Sequence, residues 1–367
     1  MVNYSVTNYN PYSNQNIGCN SPVCKRTGYG CVPSFTSQPD TVELSTKKEG
    51  LSNGAKWGIG TGVVLGLGAL AYVLTRGRVG SKQAQKLAEH IEFKPATTIE
   101  EAKKFAKDKL GVHYNDIEDV GALNFFNEWL TGVHNKCKRI NKSSYPKFIT
   151  NNKKTLGTGE VFAIVDEPIK FNGKEGYLME INMPMFSNFK VAIDEMLEGA
   201  TAIQKDINGK YNIVDKTYQT EAFADFIERI NNISSKTTFK EKVKLINDMK
   251  SFSDGCIVNG QIKGRNYSDF YLLNHELGHL RHQECVKNYN SMKKVEEFET
   301  QGQPVSDITN EFVSNKQIQQ TARKVSDYAT ESPLEFVAET FAQLMEGKTF
   351  SDDVMALYQK YGGPILS

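Results

Sequence analysis

Apolar and polar residues follow two different periods along this chain. Apolar residues at spacings of three and four predict amphipathic helices over residues 80–115, 117–137 and 220–250. Residues 155–195 instead alternate or run apolar between Gly and Asn, which predicts strands, with a turn over 170–176. The pattern therefore predicts a mostly helical α+β domain with a small mixed β-sheet.

The N-terminal part of the chain has neither period. Residues 1–52 are rich in Asn, Ser, Tyr, Pro and Gly, which predicts a disordered tail. Residues 57–75 are uncharged and apolar, and as a helix they would extend about 28 Å, close to the thickness of a bilayer core. A buried helix or a glycine-rich linker is the alternative. Glycines recur every four residues in this run, a spacing that favours close helix–helix association in membranes; they are Gly58, Gly62 and Gly66.

These patterns divide the chain into four parts. They are a tail (1–52), a transmembrane helix in contact with lipid (53–78), a helical region (79–145) and a main globular domain (146–367). Lys and Arg are slightly more numerous after the apolar run than before it. This asymmetry favours a single-pass membrane protein whose main domain faces the cytoplasm.

Charge and cysteine content narrow the class of protein further. The 367 residues include 44 basic and 43 acidic side chains, for a net charge of +1. This balance, without a nucleic-acid motif, predicts no nucleic-acid partner. Cys19, Cys24 and Cys31 are odd in number and fit no zinc spacing, so free thiols and an intermolecular bridge both stay open.

The segment N-H-E-L-G-H-L, from Asn274 to Leu280, carries the strongest chemical signal. On a helix His275 and His279 lie on one face, so both imidazoles can reach the same metal ion. Glu276 can reach a water molecule bound to that ion. A zinc hydrolase makes its nucleophile in this way, because the ion lowers the pKa of the water and a carboxylate takes the proton.

The surrounding residues predict that this segment is an amphipathic helix. Its apolar stripe has spacings of three and four and consists of Phe270, Leu273, Leu277 and Leu280. Ser268 or Asp269 could cap its start. A surface helix with scattered polar residues is the alternative. Two neighbouring imidazoles inside a protein need a polar partner, however, and a metal ion is a natural one.

A catalytic zinc site needs a third protein ligand. In one pattern, H-E-x-x-H-x-x-G-x-x-H, it is a His six residues after the second. Here His282 stands at the Gly position and Cys285 at the last position, so this pattern fails. We interpret His282 as a supporting or surface residue and Cys285 as a buried thiol.

A second predicted helix offers better candidates for the third ligand. Ser332 suits its cap, and the following Pro suits its first turn. Glu331, Glu335 and Glu339 are spaced by four, and carboxylates stacked in this way repel unless a positive charge lies beside them. A zinc ion would supply that charge, with Glu335 or Glu339 as its ligand. A capping box from Ser332 to Glu335 would instead explain Glu335 without a metal.

The two motifs together resemble a known family. H-E-L-G-H, followed about fifty residues later by Y-A-x-x-x-x-x-E-F-V-A-E, is similar to the catalytic domain of anthrax lethal factor, to clostridial Pro-Pro endopeptidases and to phage-encoded zincins. The similarity covers roughly residues 265–345. Relatives often carry Phe where this chain has Val337, but that position packs and does not react.

The resemblance implies a role for each motif residue. His275, His279 and Glu335 would be the zinc ligands, and Glu276 the general base. The matching positions also make Tyr328 a catalytic tyrosine that holds the oxyanion, and make Glu339 a carboxylate that steadies a ligand His.

The sequence therefore predicts a membrane-anchored, zinc-dependent metalloendopeptidase that cleaves a protein or peptide substrate. Two alternatives remain. One is a catalytically silent zincin-fold protein with a binding or structural role. The other is a secreted or phage-type toxin protease, in which the apolar run serves membrane passage.

Overall fold

A computed structural model describes most of the chain after residue 89. The described ranges are 90–136, 146–151, 163–165, 169–171 and 174–365. The predicted tail and transmembrane helix, with Gly58, Gly62 and Gly66, lie outside these ranges. Within them, no helix combines the length and the apolar character needed to cross a membrane.

Helices form most of the described chain. The α-helices are α1 (Ile99–Phe105), α2 (Val120–Lys136), α3 (Met183–Ser187), α4 (Phe189–Met196), α5 (Glu221–Asn231), α6 (Phe239–Ser253), α7 (Tyr271–Cys285), α8 (Val295–Thr300), α9 (Asp307–Ser314), α10 (Lys316–Arg323), α11 (Pro333–Met345) and α12 (Asp352–Lys360). A π-helical turn continues α1, and short 3₁₀ turns occupy Lys216–Tyr218, Tyr289–Met292 and Tyr328–Thr330. The predicted helices over 117–137 and 220–250 thus correspond to α2, α5 and α6.

The strands are short. They are β1 (His113–Asn115), β2 (Phe148–Asn151), β3 (Ala163–Val165), β4 (Ile169–Phe171), β5 (Lys174–Gly176), β6 (Leu178–Ile181), β7 (Ile203–Lys205), β8 (Tyr211–Ile213), β9 (Cys256–Val258) and β10 (Gln261–Lys263). One sheet has the order β1-β2-β6-β3, in which β3 alone is antiparallel to its neighbour. The other strands form three hairpins. The prediction of a mostly helical α+β domain with a small mixed sheet is confirmed.

Three predicted element boundaries were wrong. Residues 170–176 form most of the β4–β5 hairpin, not a plain turn. The predicted strands after residue 182 are helices α3 and α4, because Asn182 caps α3 through the Met185 N–H and a proline stands in its first turn. In the described part of 80–115, helix begins only at Ile99, where the Thr98 side chain caps α1.

An aromatic cluster lies between α2 and α6, and α2 also contacts the helix that carries the H-E-L-G-H motif. Phe125, Phe126 and Phe239 pack edge to face across α2 and α6. The indole N–H of Trp129 donates to Oδ1 of Asn274 at 2.9 Å. This buried bond joins α2 to the residue just before His275, so it fixes the first half of α7 on the core.

Helices α7 and α11 pack closely at Gly278. A Cβ atom at this position would lie only 2.9 Å from the Cα atom of Ala338. The glycine of H-E-L-G-H therefore has a packing role, because it lets the two backbones come close enough for side chains of both helices to meet. Helix α11 is buried on almost every side, which fixes its position against α7.

Candidate metal centre

Side chains from α7 and α11 converge at one point. Nε2 of His275 and Nε2 of His279 lie 3.1 Å apart. Oε2 of Glu335 lies 3.2 Å from the first of these nitrogens and 3.4 Å from the second. Donors bound tetrahedrally at about 2.0 Å from one zinc ion would be separated by about 3.3 Å. The group thus has the donor types and the spacing of a metal centre, and it could hold a metal ion.

The burial of Glu335 supports the same interpretation. Its Oε2 atom is buried, and no donor in the described chain other than the two imidazoles reaches it. A buried carboxylate oxygen of this kind is costly unless it has a partner. A metal ion held by Glu335 and both imidazoles would satisfy it.

The capping alternative for Glu335 is compatible with this arrangement. The Ser332 hydroxyl accepts a hydrogen bond from the Glu335 backbone N–H at 3.2 Å and so caps α11. The Glu335 side chain meanwhile points at the imidazoles. Capping uses the backbone of this residue and the metal would use its carboxylate, so one position can serve both.

Glu339 lies behind His275, one helical turn after Glu335. Its Oε1 atom is 2.9 Å from Nδ1 of His275. Its Oε2 atom accepts hydrogen bonds from the hydroxyls of Tyr271, at 2.8 Å, and Ser326, at 2.7 Å. In the neutral imidazole, a proton on Nδ1 beside Glu339 would leave the Nε2 lone pair directed at the candidate site, which is the tautomer that metal binding requires.

A buried lysine neutralises Glu339. Nζ of Lys250 lies 3.3 Å from Oε1 of Glu339 and 2.8 Å from Oδ2 of Asp254, and all three side chains are almost fully buried. Burial alone would raise the pKa of Glu339, but Lys250 and His275 outweigh it and hold that pKa well below its usual range. For Asp254 burial dominates and raises the pKa.

The imidazole of His275 also responds to its two carboxylate neighbours. Burial acts to lower its pKa, but Glu335 and Glu339 more than compensate and raise it to about 10. A raised pKa favours the protonated imidazole at neutral pH. Metal binding must displace this proton, because only a neutral imidazole can be a ligand.

A second lysine, Lys294, lies beside Glu335. Nζ of Lys294 is 2.6 Å from Oε2 of Glu331 and 3.5 Å from Oε1 of Glu335. It donates a hydrogen bond to the hydroxyl of Tyr328 at 2.7 Å. Burial acts to lower the pKa of Lys294, but Glu331 and Glu335 raise it well above its usual value, so the ammonium stays charged.

Tyr328 and Glu276 are both less buried than His275 and Glu335. Tyr328 is half-buried, with its ring centroid 5.8 Å from that of His275. Glu276 is also half-buried, and its carboxylate makes no hydrogen bond or ion pair with another described residue. Burial raises the pKa of Glu276, while His275 and His279 oppose the shift.

His282 and Cys285 lie apart from the three-residue group. His282 is fully buried, and its Nε2 donates to the carbonyl oxygen of Tyr361 at 2.6 Å, so it supports the packing of the C-terminal segment. Cys285 is exposed, contrary to the expectation of a buried thiol. It lies in the last turn of α7, where the helix faces solvent.

The predicted caps of α7 were also wrong. The helix begins at Tyr271, and Phe270 at its N-cap makes no side-chain cap. The Ser268 hydroxyl instead accepts from the Phe270 N–H at 3.2 Å, in the loop before the helix, and donates to Glu346 at 2.5 Å. Packing of the first turn against the core thus replaces a local cap.

Sequence reasoning missed several residues around the centre. Tyr289 and Lys294 contact candidate ligands. Lys250 and Tyr271 contact Glu339, and Asp254 pairs with Lys250. The Tyr289 hydroxyl lies 3.2 Å from Nδ1 of His279. Tyr289 thus stands beside the Nδ1 atom of His279 as Glu339 stands beside that of His275. The spacing of Glu331, Glu335 and Glu339 did indicate that a positive charge lies nearby. The sequence suggested only a zinc ion, but Lys250 and Lys294 supply positive charge as well.

Comparisons of this chain with family models, with curated proteins and with solved structures found no match. The functional evidence therefore comes from the structure of the site. The domain is mostly helical and contains a buried His275–His279–Glu335 group, an arrangement compatible with zincins of the H-E-x-x-H…E type.

Proposed function

We propose that this protein is a zinc-dependent metalloendopeptidase. The observation that supports this most directly is the convergence of His275, His279 and Glu335 with Glu276 beside them. Two imidazoles and one carboxylate are a donor set that catalytic zinc prefers, and three protein ligands leave one position open. The ion would polarise the scissile carbonyl and lower the pKa of the attacking water.

Each remaining residue has a part in hydrolysis of the peptide bond. Glu276 takes a proton from the water as its oxygen attacks the carbonyl carbon. The Tyr328 hydroxyl donates a hydrogen bond to the carbonyl oxygen as negative charge develops there. The C–N bond then breaks, and Glu276 returns the proton to the departing amine. Glu339 holds His275 in the required tautomer throughout.

We also propose that the protein is anchored in a membrane through residues 57–75, with the catalytic domain in the cytoplasm. The support is the length and the uncharged, apolar character of that run. Alkaline carbonate washing of membranes tests the anchor, since a spanning segment keeps the protein in the pellet. Release of the full-length protein into the wash would contradict anchoring and favour a toxin that only passes through membranes.

The catalytic proposal is tested with the full-length protein, its Glu276→Gln variant and its Glu335→Ala variant. Metal content is measured by mass spectrometry, and cleavage with a peptide library. We expect the wild-type protein to bind one zinc ion and to cleave. Glu276→Gln should keep the zinc and lose about 10²- to 10⁴-fold in rate, because only the base is removed.

Glu335→Ala should lose both zinc and activity, because it removes a ligand. Undiminished cleavage by Glu276→Gln would contradict the assigned base. Zinc bound by a wild-type protein that cleaves no peptide would instead favour a zincin-fold protein with a binding role.

A further inference from the structure

We propose that Lys294 is a positioning residue that leaves Glu335 a single oxygen for the metal ion and holds Tyr328 at the same site. The inference rests on the proposed function, because it assigns Lys294 a part in that centre. Its support is the set of contacts that one ammonium group makes. These contacts join Lys294 to three residues of the short stretch from Tyr328 to Glu335, which leads into α11.

The two oxygens of Glu335 have different neighbours. Oε2 faces the two imidazoles at 3.2 and 3.4 Å. Oε1 faces Nζ of Lys294 at 3.5 Å. The ammonium thus divides the carboxylate into one oxygen directed at the candidate metal position and one directed away from it.

This division matters for the number of open positions at the metal. A carboxylate can bind a metal ion through one oxygen or through both. If Glu335 used both, it would fill the position that a hydrolytic zinc site leaves for water. By attracting Oε1, Lys294 favours binding through Oε2 alone and so keeps that position open.

The same ammonium also orients Tyr328. Nζ of Lys294 donates to the Tyr328 hydroxyl at 2.7 Å and lies 4.2 Å from the centroid of its ring. Because the hydroxyl accepts this bond, its own hydrogen is directed away from Lys294. The proposed ligand and the proposed oxyanion donor are therefore held by one cation.

Lys294 is itself held in place by Glu331. The two charged groups lie 2.6 Å apart, and the Lys294 side chain is only 13% exposed. Lys294 stands just before α8, in the segment that connects α7 to α11, so this segment must fold back over the centre to bring the ammonium there. A lysine that only balanced Glu331 would not need to reach Glu335 and Tyr328.

The test uses the full-length protein with three substitutions. Lys294→Met removes the charge and the donors, Lys294→Arg keeps both, and Glu331→Gln removes only the anchor. Zinc affinity is measured by competition with a chromophoric chelator. The visible absorption spectrum of the Co²⁺-loaded protein reports the number of donors around the ion, and neither measurement needs turnover.

We expect Lys294→Met to bind zinc as tightly as the wild-type protein or up to about 10-fold more tightly, because a neighbouring cation is removed and a second oxygen is released. Its Co²⁺ spectrum should become weaker, as more donors surround the ion. The turnover number should fall about 10- to 100-fold with little change in KM. Lys294→Arg should restore the wild-type spectrum, and Glu331→Gln should give a smaller change in the same direction.

The outcomes separate this inference from the proposed function. A Co²⁺ spectrum of Lys294→Met identical to that of a wild-type protein that cleaves peptide would overturn the role of Lys294 alone. Weaker zinc binding together with loss of the circular dichroism signal would also overturn it, in favour of a purely structural lysine. A changed spectrum in a protein that cleaves nothing would keep the positioning role and reject the peptidase. A wild-type protein that binds neither metal would overturn both.

Discussion

The two sides of the candidate metal centre differ in burial and in the completeness of their contacts. The rear side, behind His275, is no more than 3% exposed and consists of Lys250, Asp254, Tyr271, Ser326 and Glu339. The front side is partly open and consists of Glu276, Tyr289, Lys294, Tyr328 and Glu331. Both sides contain a lysine between carboxylates, so the difference lies in solvent access and not in the kinds of residue.

This difference separates stability from chemistry. A charged group that is excluded from water needs a complete set of hydrogen-bond and ion-pair partners. Removal of one partner leaves the remaining groups buried and unpaired. The rear side should therefore govern folding and the orientation of His275. On the front side water and a substrate can reach the groups that would react, so changes there should affect rate more than folding.

The largest effect should come from Lys250→Met on the rear side. It leaves Asp254 and Glu339 without their cation, and we expect the free energy of unfolding to fall by about 3–5 kcal/mol. Helix α6 provides a matched control in Lys244→Met. Lys244 pairs with Asp248 four residues on at 3.2 Å, as Lys250 does with Asp254 at 2.8 Å, but its side chain is 47% exposed.

The control should cost less than about 1 kcal/mol, because exposed ion pairs contribute little. Urea unfolding followed by circular dichroism measures both variants. If Lys250→Met and Lys244→Met lower the free energy of unfolding equally, burial does not determine how much the rear side contributes to stability. The proposed difference between the two sides would then be wrong.

A pH-dependent effect of somewhat smaller size should come from His282, which shares α7 with the ligands but belongs to neither side. Burial lowers its pKa to about 4, only partly offset by its bond to the Tyr361 carbonyl. Between about pH 6.5 and pH 4, His282 is protonated in the unfolded chain but stays largely neutral in the folded protein. Stability should therefore fall as the pH drops from about 6.5 to 4, by about 3 kcal/mol from this residue.

His282→Gln keeps a hydrogen-bond donor but cannot titrate. Its free energy of unfolding at pH 7 and pH 4 should differ by about 3 kcal/mol less than that of the wild-type protein. If urea unfolding shows the same pH dependence for both proteins, His282 is not the titrating group.

The smallest expected effects come from two Tyr→Phe substitutions, one on each side. Tyr289→Phe removes the hydroxyl beside Nδ1 of His279 and should weaken zinc binding about 5-fold, with stability changed by less than about 1 kcal/mol. Tyr271→Phe removes a donor to the buried Glu339 and should cost about 1–3 kcal/mol in stability. The chelator competition and urea unfolding used above measure both quantities. If Tyr289→Phe instead lowers stability and Tyr271→Phe instead weakens zinc binding, the front side governs stability and the rear side governs metal binding.

The comparison also shows where the sequence was informative. Helices with a local cap and a clear apolar period were predicted well, as in α11, where Ser332 and the following proline mark the start. The segment after Asn182 was predicted as strand because a run of Met and Phe does not distinguish a buried helix from a strand. Lys294 and Tyr289 had no signal at all, since their place beside the ligands depends on how the segment between α7 and α11 folds.

By itself, the sequence determined that His275 and His279 share one helical face and that Glu335 and Glu339 stand one turn apart on a second helix. Both are consequences of local helix geometry. Only the tertiary structure decided that Glu335 faces the Nε2 atoms and Glu339 the Nδ1 atom of His275, because the packing at Gly278 fixes how α11 lies against α7. It also decided that two lysines approach these carboxylates, since side chains far apart in sequence meet only when the core is formed.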